Sequence, residues 1–135
     1  MDIKIVNHQI SAKVYQDLRV RCGLSAKSDE ATQVGLDNSI HSVMLLVEDR
    51  CIGMGRIIGD GGCFCQIVDI CVLPEYQGQG LGRLIMENLT EFIDRQLPES
   101  CYVSLIADGD ASFLYEKFGF RDTLPASRGM YLERG

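Results

Sequence analysis

The sequence of 135 residues has no excess of basic side chains and no long hydrophobic run. Lysine and arginine number 13 against 19 aspartates and glutamates, giving a net charge of −6, so the signature of a nucleic-acid or anionic-lipid partner is missing. No apolar run approaches the roughly 18 residues that cross a membrane, and no signal peptide is recognisable. These absences predict a cytoplasmic protein with no nucleic-acid or membrane partner.

Metal-binding spacing is also missing. The six cysteines are Cys22, Cys51, Cys63, Cys65, Cys71 and Cys101. Cys63 and Cys65 are separated by one residue rather than the two of Cys-x-x-Cys, and His8 and His41 have no cysteine or carboxylate framework around them. Free cysteines that pack as small hydrophobic residues in a reducing compartment are therefore expected, with no metal.

The length and the hydrophobic fraction of 46% predict a single domain over residues 1–135 with its own core. Periodicity and turn residues predict a strand, two helices, three antiparallel strands, a helix, a strand, a helix and a last strand. Their ranges are 2–6, 11–21, 25–34, 40–48, 51–58, 63–73, 81–97, 101–106, 108–118 and 128–133. Because the long helix crosses between two strands that should be parallel neighbours, the sheet is mixed and the fold class is α/β.

The fourth predicted strand, 63–73, is apolar on both faces and should therefore be central and covered on both sides. Its one carboxylate is Asp69, which strict alternation places on the face of Ile67 and Cys71. A carboxylate among aliphatic side chains has a raised pKa, which suits a base or a site for a substrate ammonium group. The alternative is that a neighbouring strand or helix satisfies Asp69, which would make it structural.

A glycine-rich corner joins this strand to the long helix, with Gly78, Gly80 and Gly82 evenly spaced. The first N–H groups of a helix are unpaired and lie at the positive end of its dipole, so a phosphate fits there when no side chain obstructs it. The corner lacks the Gly-Lys-Ser/Thr of a Walker A loop and the Gly-x-Gly-x-x-Gly of a dinucleotide site. A glycine-rich turn without a ligand remains the alternative.

Gln77, Gly80 and Gly82 resemble the Gln/Arg-x-x-Gly-x-Gly/Ala signature of the GCN5-related N-acetyltransferase (GNAT) family. Residues 67–76 are similar to the usual lead-in, and residues 111–120 look like the family's motif B. The resemblance implies a mixed, mainly antiparallel central sheet with helices on both faces and a splay between strands 4 and 5.

The resemblance also implies acetyl-CoA as cosubstrate and no metal. It assigns the pyrophosphate to the glycine corner, the pantetheine arm to the main chain of strand 4, and further contacts to residues after strand 5. The cofactor-binding residues so implied are Ile70, Cys71, Val72, Gln77, Gly78, Gln79, Gly80, Leu81, Gly82, Arg83, Asp108, Ser112 and Tyr115. The family often has Asn at the position of Asp108, and an Asp there accepts a hydrogen bond but does not donate one.

The implied chemistry is direct attack of an amine on the thioester in a ternary complex. By its place in the family's motif, Tyr115 is the candidate acid that protonates the leaving thiolate, and packing is its alternative role. Asp69 is the candidate base, because Gln66 stands where histone-type members carry a glutamate and an amide cannot accept the proton. A main-chain N–H of Cys71 or Ile70 would be the oxyanion donor.

The acceptor implied by these comparisons is a primary amine of a small molecule, of polyamine, arylalkylamine or amino-sugar type. Residues 74–82 and 127–131 are similar to small bacterial members and to plastid and cyanobacterial arylalkylamine-type enzymes. Hexosamine-phosphate members have a Glu-Asp pair where this chain has Val68 and Asp69, which makes a hexosamine phosphate a less favoured substrate. The alternatives are a protein or peptide N-acetyltransferase and a non-catalytic acyl-CoA-binding sensor. The chain is expected to be a monomer or a homodimer.

Overall fold

A computed structural model describes residues 2–135 and divides the chain into one unit that ends at Leu105 and a second, Ile106–Gly135. The elements are β1 (Lys4–Val6), α1 (Ala12–Arg21), α2 (Asp29–Asp37), β2 (His41–Val47), β3 (Arg50–Gly59), β4 (Phe64–Val72), α3 (Leu81–Gln96), β5 (Tyr102–Leu105) and α4 (Ala111–Glu116). All but α4 belong to the first unit. A single domain over residues 1–135 stays a prediction.

The first unit is built on a five-stranded sheet in the order β1-β2-β3-β4-β5. The first four strands pair antiparallel with their neighbours, and β4 and β5 pair parallel. Helix α3 supplies the crossover that a parallel pair requires. The predicted α/β class with a mixed sheet is confirmed. In the part of the chain that the structure describes, no helix is long and apolar enough to cross a bilayer.

Serine residues begin the first two helices. The Ser11 hydroxyl accepts a hydrogen bond from the Val14 N–H, and the Ser28 hydroxyl accepts one from the Ala31 N–H. Helix α2 therefore begins at Asp29, later than the predicted 25, because residue 28 supplies the cap. It also continues through Gly35, where the prediction ended it, since this glycine keeps ordinary helical backbone.

Helices cover both faces of the sheet. On one face, α3 approaches β3 so closely that a Cβ built on Gly55 would lie 2.8 Å from Cγ2 of Ile85. On the other face, the Arg56 guanidinium donates to the Gly35 carbonyl oxygen of α2 at 3.0 Å. Successive residues of a strand point to opposite faces, so α3 lies on one face and α2 on the other. The helices predicted on both faces are confirmed.

The last predicted strand, 128–133, is wrong. Residues 106–135, all of which the structure describes, contain no strand, and Met130, Tyr131 and Leu132 are between 79% and 88% exposed. Hydrophobic residues with a strand-like pattern form a strand only where another strand pairs with them. The second unit holds no such partner.

Candidate active site

The glycine corner forms as predicted and exposes the beginning of α3. Gly78 and Gly80 have φ values of +80° and +79°, a conformation that residues with a Cβ adopt only at a cost. Gly80 is the N-cap of α3, and no side chain caps the helix, so the first N–H groups have no side-chain acceptor. A Cβ on either glycine would meet no atom within 4 Å, so both glycines border open space.

The other predicted corner residues surround this opening. The Gln77 side-chain amide donates to the Val72 carbonyl oxygen at 3.0 Å, which ties the corner to the end of β4. Leu81 is buried and anchors the first turn of α3, while Gln79 is exposed. Arg83 is exposed and its Nε donates to Glu87 at 3.1 Å along the helix. The corner therefore combines main-chain donors with a guanidinium group, a set that suits a phosphate.

Strands β4 and β5 part beyond Ile67. Their pairing runs from Phe64 opposite Tyr102 to Ile67 opposite Leu105 and stops there. Residues 68–72 of β4 have no strand on that side. The pairing ends where the splay between strands 4 and 5 is predicted, and it leaves an edge of β4 without a strand partner, the open edge, that leads to the glycine corner.

The register of β3 and β4 decides which main-chain groups reach this open edge. The Leu73 N–H donates to the Ile52 carbonyl oxygen at 2.9 Å, so the main chain of residue 73 faces β3. Because the facing alternates along a strand, Cys71 also faces β3, whereas Ile70 and Val72 face the open edge. Of the three strand residues predicted for the pantetheine arm, Ile70 and Val72 offer main-chain groups there and Cys71 does not.

A β-bulge interrupts β4 next to the open edge. Arg56 pairs with Val68 but Met54 pairs with Cys71, so Gly55 lies opposite two residues, Asp69 and Ile70. The extra residue breaks the alternation that the sequence suggested. Asp69 lies on the face of Arg56, Val68 and Cys71, so its predicted placement is right with respect to Cys71 and wrong with respect to Ile67.

The Asp69 carboxylate is the centre of a buried ionic cluster, and the expected aliphatic surroundings are wrong. It accepts hydrogen bonds from the Tyr15 hydroxyl and Arg19 Nη1, each at 2.6 Å, and from Arg56 Nε at 2.9 Å. The side chains of Arg19, Arg56 and Asp69 are all at least nine-tenths buried. Burial and the hydrogen bond to Asp69 raise the pKa of Tyr15 above its usual range. We call these four residues the Asp69 cluster.

The alternative that a neighbouring strand or helix satisfies Asp69 is confirmed. Sequence reasoning did not identify the full set of donors, because they lie 54, 50 and 13 residues from Asp69 along the chain. A single acid in an otherwise apolar strand is itself a signal, since a buried carboxylate requires a charged or hydrogen-bonding partner. A role for Asp69 as a base stays a prediction. The three donors fill most of the roughly four acceptor positions of the carboxylate, with two on Oδ2 and one on Oδ1.

Cys71 lies beside Cys22, the residue that ends α1, and therefore on the face of β4 that α1 covers. Burial, with a smaller effect of the neighbouring thiols, raises the pKa of Cys71 well above its usual range, and burial raises the pKa of Cys51 to about 11. A thiol in this state keeps its proton at neutral pH and is a poor nucleophile. Among residues 2–135, no group of three or more His, Cys, Asp or Glu side chains could hold a metal ion.

The remaining predicted residues belong to the second unit. Tyr115 lies on α4 and is 9% exposed. Burial and the negative charge of Asp108 raise the pKa of the Tyr115 phenol, so it is protonated at neutral pH. Asp108 is exposed and Ser112 half-buried. The roles of these three residues stay predictions.

Three known proteins show what the chain is similar to. A probable acetyltransferase of unknown function from methicillin-resistant Staphylococcus aureus is 49% identical, with a TM-score of 0.92 over 98% of this chain and 100% of that one. The chloroplastic GCN5-related N-acetyltransferase 2 of Arabidopsis thaliana is 35% identical over 85 residues, 62% of this chain and 32% of the relative. The glucosamine 6-phosphate N-acetyltransferase of Trypanosoma brucei brucei is 31% identical over 106 residues, 78% of this chain and 65% of the relative.

The match spans less than half the length of the first curated relatives, 32% and 46%. A family model described as an acetyltransferase (GNAT) domain matches residues 11–129. The match includes both motifs and every strand of the sheet except β1. Together with the parted strands and the glycine corner, it shows that the chain belongs to the GNAT family of acetyltransferases.

Proposed function

We propose that this protein is an acetyl-CoA-dependent N-acetyltransferase that transfers an acetyl group to the primary amine of a small molecule. The observation that carries the proposal is the open edge of β4 running into an uncapped helix N-terminus. A simple connection between a strand and a helix would gain nothing from an unpaired strand edge or from helix N–H groups without a capping side chain. Family membership supplies the reaction class.

The residues fit the cosubstrate in two places. The main-chain N–H groups of Gln79 to Gly82 would hold the pyrophosphate, with Gln77, Gly78 and Arg83 at the rim. In support, a Cβ built on Gly78 or Gly80 would meet no atom within 4 Å, so neither glycine is packed against another part of the chain. The open-edge groups of Ile70 and Val72 would pair with the pantetheine arm in the manner of an added strand. The thioester supplies the acetyl group and a thiolate leaving group.

Two groups of the chain would then assist direct attack by the amine. The Ile70 N–H, which faces the open edge, would donate to the thioester carbonyl oxygen as negative charge develops on it. Tyr115 would give its proton to the departing thiolate, which is consistent with a phenol that is still protonated at neutral pH. Cys71 takes no covalent part, since its thiol keeps its proton.

Small amines of polyamine, arylalkylamine and amino-sugar type remain the proposed acceptors. The net charge of −6 favours the approach of a cationic amine. One relative, from Trypanosoma brucei brucei, is a glucosamine 6-phosphate N-acetyltransferase, which keeps amino sugars among the compounds to test. A cytoplasmic location and a monomeric or homodimeric state stay predictions.

The test is acetyl-CoA turnover, followed by thiol release, against polyamines, arylalkylamines, amino sugars and lysine peptides, with CoA binding measured by calorimetry. Tyr115→Phe should abolish most turnover and leave CoA binding intact. Tyr102→Phe is the matched control, because Tyr102 lies at the start of β5, at the end of the sheet away from the open edge. CoA binding without turnover on any acceptor would favour a sensor, and faster turnover on peptides than on free amines would favour a protein acetyltransferase.

A further inference from the structure

The main chain at Asp69 has a conformation that is rare within a strand. Its φ of +61° lies in the left-handed region, which residues other than glycine adopt at a cost, although Asn and Asp adopt it more readily than the rest. Such a conformation persists only where the surroundings fix it. Here three donors converge on the carboxylate, from Tyr15, Arg19 and Arg56.

The donors are themselves held by main-chain groups of the segments around α2. Arg19 Nε donates to the Ser25 carbonyl oxygen at 2.7 Å, just after α1. Arg56 Nη1 donates to the Gly35 carbonyl oxygen at 3.0 Å and to the Ser39 hydroxyl at 2.8 Å. The cluster is therefore a bridge from the α1–α2 region to a single point of β4, with no exposed arm that could relax into solvent.

That point of β4 is where the bulge shifts the register. Before the bulge Arg56 pairs with Val68, and after it Met54 pairs with Cys71. If the first register continued without the extra residue, Met54 would pair with Ile70. The main chain of Ile70 would then face β3, and the main chain of Cys71 would face the open edge instead.

We infer that Asp69 is a positioning residue and not a proton acceptor: the Asp69 cluster holds the bulge and so turns the Ile70 N–H toward the open edge. The inference rests on the proposed function, in which that N–H donates to the thioester carbonyl oxygen. It explains why a carboxylate with three donors stands at a strained residue one position before the proposed oxyanion donor.

Two substitutions separate positioning from proton transfer. Asp69→Asn tolerates the left-handed backbone, but it replaces one carboxylate oxygen by an N–H2 group that confronts donors. Tyr15→Phe removes one donor and leaves the carboxylate in place. Asp17→Asn is the matched control. Asp17 lies on α1, as Tyr15 does, but it pairs with Arg21 on the exposed side of that helix, where both side chains are more than half exposed.

The expected result has a kinetic part and a spectroscopic part. Asp69→Asn should lower kcat by about 10- to 100-fold, the range for a displaced or lost oxyanion donor. Tyr15→Phe should lower kcat roughly 3- to 10-fold, the equivalent of one hydrogen bond. The Kd for CoA should change by a smaller factor than kcat in both variants, because the glycine corner and Val72 lie beyond the bulge and only the pairing at Ile70 is disturbed. Asp17→Asn should change neither kcat nor Kd.

Backbone NMR supplies the measurement that does not depend on turnover. Tyr15→Phe, which leaves residues 69 and 70 themselves unchanged, should shift the Ile70 amide resonance and the Cα resonance of Asp69, whereas Asp17→Asn should not. If kcat falls in Asp69→Asn while Tyr15→Phe is fully active and does not shift the Ile70 amide, Asp69 acts as a base and the inference is wrong. A protein that shows the resonance shifts but acetylates no amine would contradict the proposed function and not the bulge; if Asp69→Asn fails to fold, Tyr15→Phe still decides.

Discussion

Gly55 is a position where adding one methyl group should destabilise the protein. It lies on β3 opposite the bulge and under α3. A Cβ there would lie 2.8 Å from Cγ2 of Ile85 and 3.0 Å from Cδ1 of Leu89. Both side chains are completely buried, so neither has solvent to move into. Gly55→Ala therefore tests how tightly α3 packs on the sheet.

Two effects of opposite sign set the magnitude. Forcing an extra carbon into a packed core costs about 1–3 kcal/mol. The backbone at Gly55 is not in the left-handed region, so alanine reduces the freedom of the unfolded chain and returns about 0.4–1 kcal/mol. The free energy of unfolding should fall by up to about 2.6 kcal/mol, and by about 1.3 kcal/mol at the middle of both ranges. For a chain of this length the middle value corresponds to a Tm lower by roughly 4–7 °C.

Urea unfolding can compare Gly55→Ala, in which the free energy of unfolding should fall, with Gly35→Ala, in which it should rise. At Gly35, in the helical backbone of α2, a Cβ would be 3.8 Å from the nearest atom, so alanine should raise the free energy of unfolding by about 0.5–1 kcal/mol. In an Ile85→Ala background, the alanine at position 55 should destabilise the protein less, because only the 3.0 Å contact with Cδ1 of Leu89 remains close. A Gly55→Ala protein as stable as the parent, or equal costs in both backgrounds, would refute the close packing of α3 on β3.

Three further predictions address the corner, the acid side of the stability curve and the thiols. Gly80→Ala and Gly23→Ala, at φ of +79° and +81°, should each lose about 1 kcal/mol of stability. Only Gly80→Ala should weaken CoA binding in calorimetry, and equal CoA affinities of the two variants would show that the corner does not bind CoA. Hydrogen bonds from the main chain of Phe64 and neighbouring residues lower the pKa of Asp60 below its ordinary 3.8. The stabilisation from Asp60 is therefore complete above pH 3.8 and is lost as the pH falls through the lowered pKa. In Asp60→Asn the urea midpoint should depend less on pH on the acid side, and an unchanged dependence would contradict this. Alkylation of Cys71 by iodoacetamide, followed by mass spectrometry, should be at least tenfold faster in the urea-unfolded protein than in the native one, since burial raises the native pKa; similar rates would show that the thiol is accessible.

The parts of the fold that the sequence predicts are those determined by neighbouring residues. The hydrophobic spacing of α3 lies within its own 16 residues, and the glycine corner directly precedes it. The parallel pairing of β4 and β5 follows from the helix between them and the handedness that such crossovers share. The prediction of residues 128–133 as a strand is wrong, because a strand depends on a pairing partner elsewhere in the chain and not on neighbouring residues alone.

The bulge could not be predicted because it leaves no local signal, and the single acid of β4 indicates that a partner exists without determining which side chains supply it. A shift of one residue changes the face of Ile67 and Val68, but both are aliphatic, so the hydrophobic pattern is compatible with either register. The partners of Asp69 come from α1 and β3, which lie far apart in sequence. Their basic side chains could equally have been exposed to solvent, which is where most arginines lie.

The cost of a buried ionic cluster indicates what this one is for. Replacing buried ion pairs by hydrophobic residues of similar volume is often neutral or stabilising, so stability alone does not account for Arg19, Arg56 and Asp69 in the interior. Hydrophobic replacements could fill the same volume between α1 and the sheet. They could not supply directional bonds that hold residue 69 at a positive φ, and β-branched residues, which strands favour, avoid that conformation. What the cluster adds to packing is therefore the register of one residue, and that register determines which N–H faces the open edge.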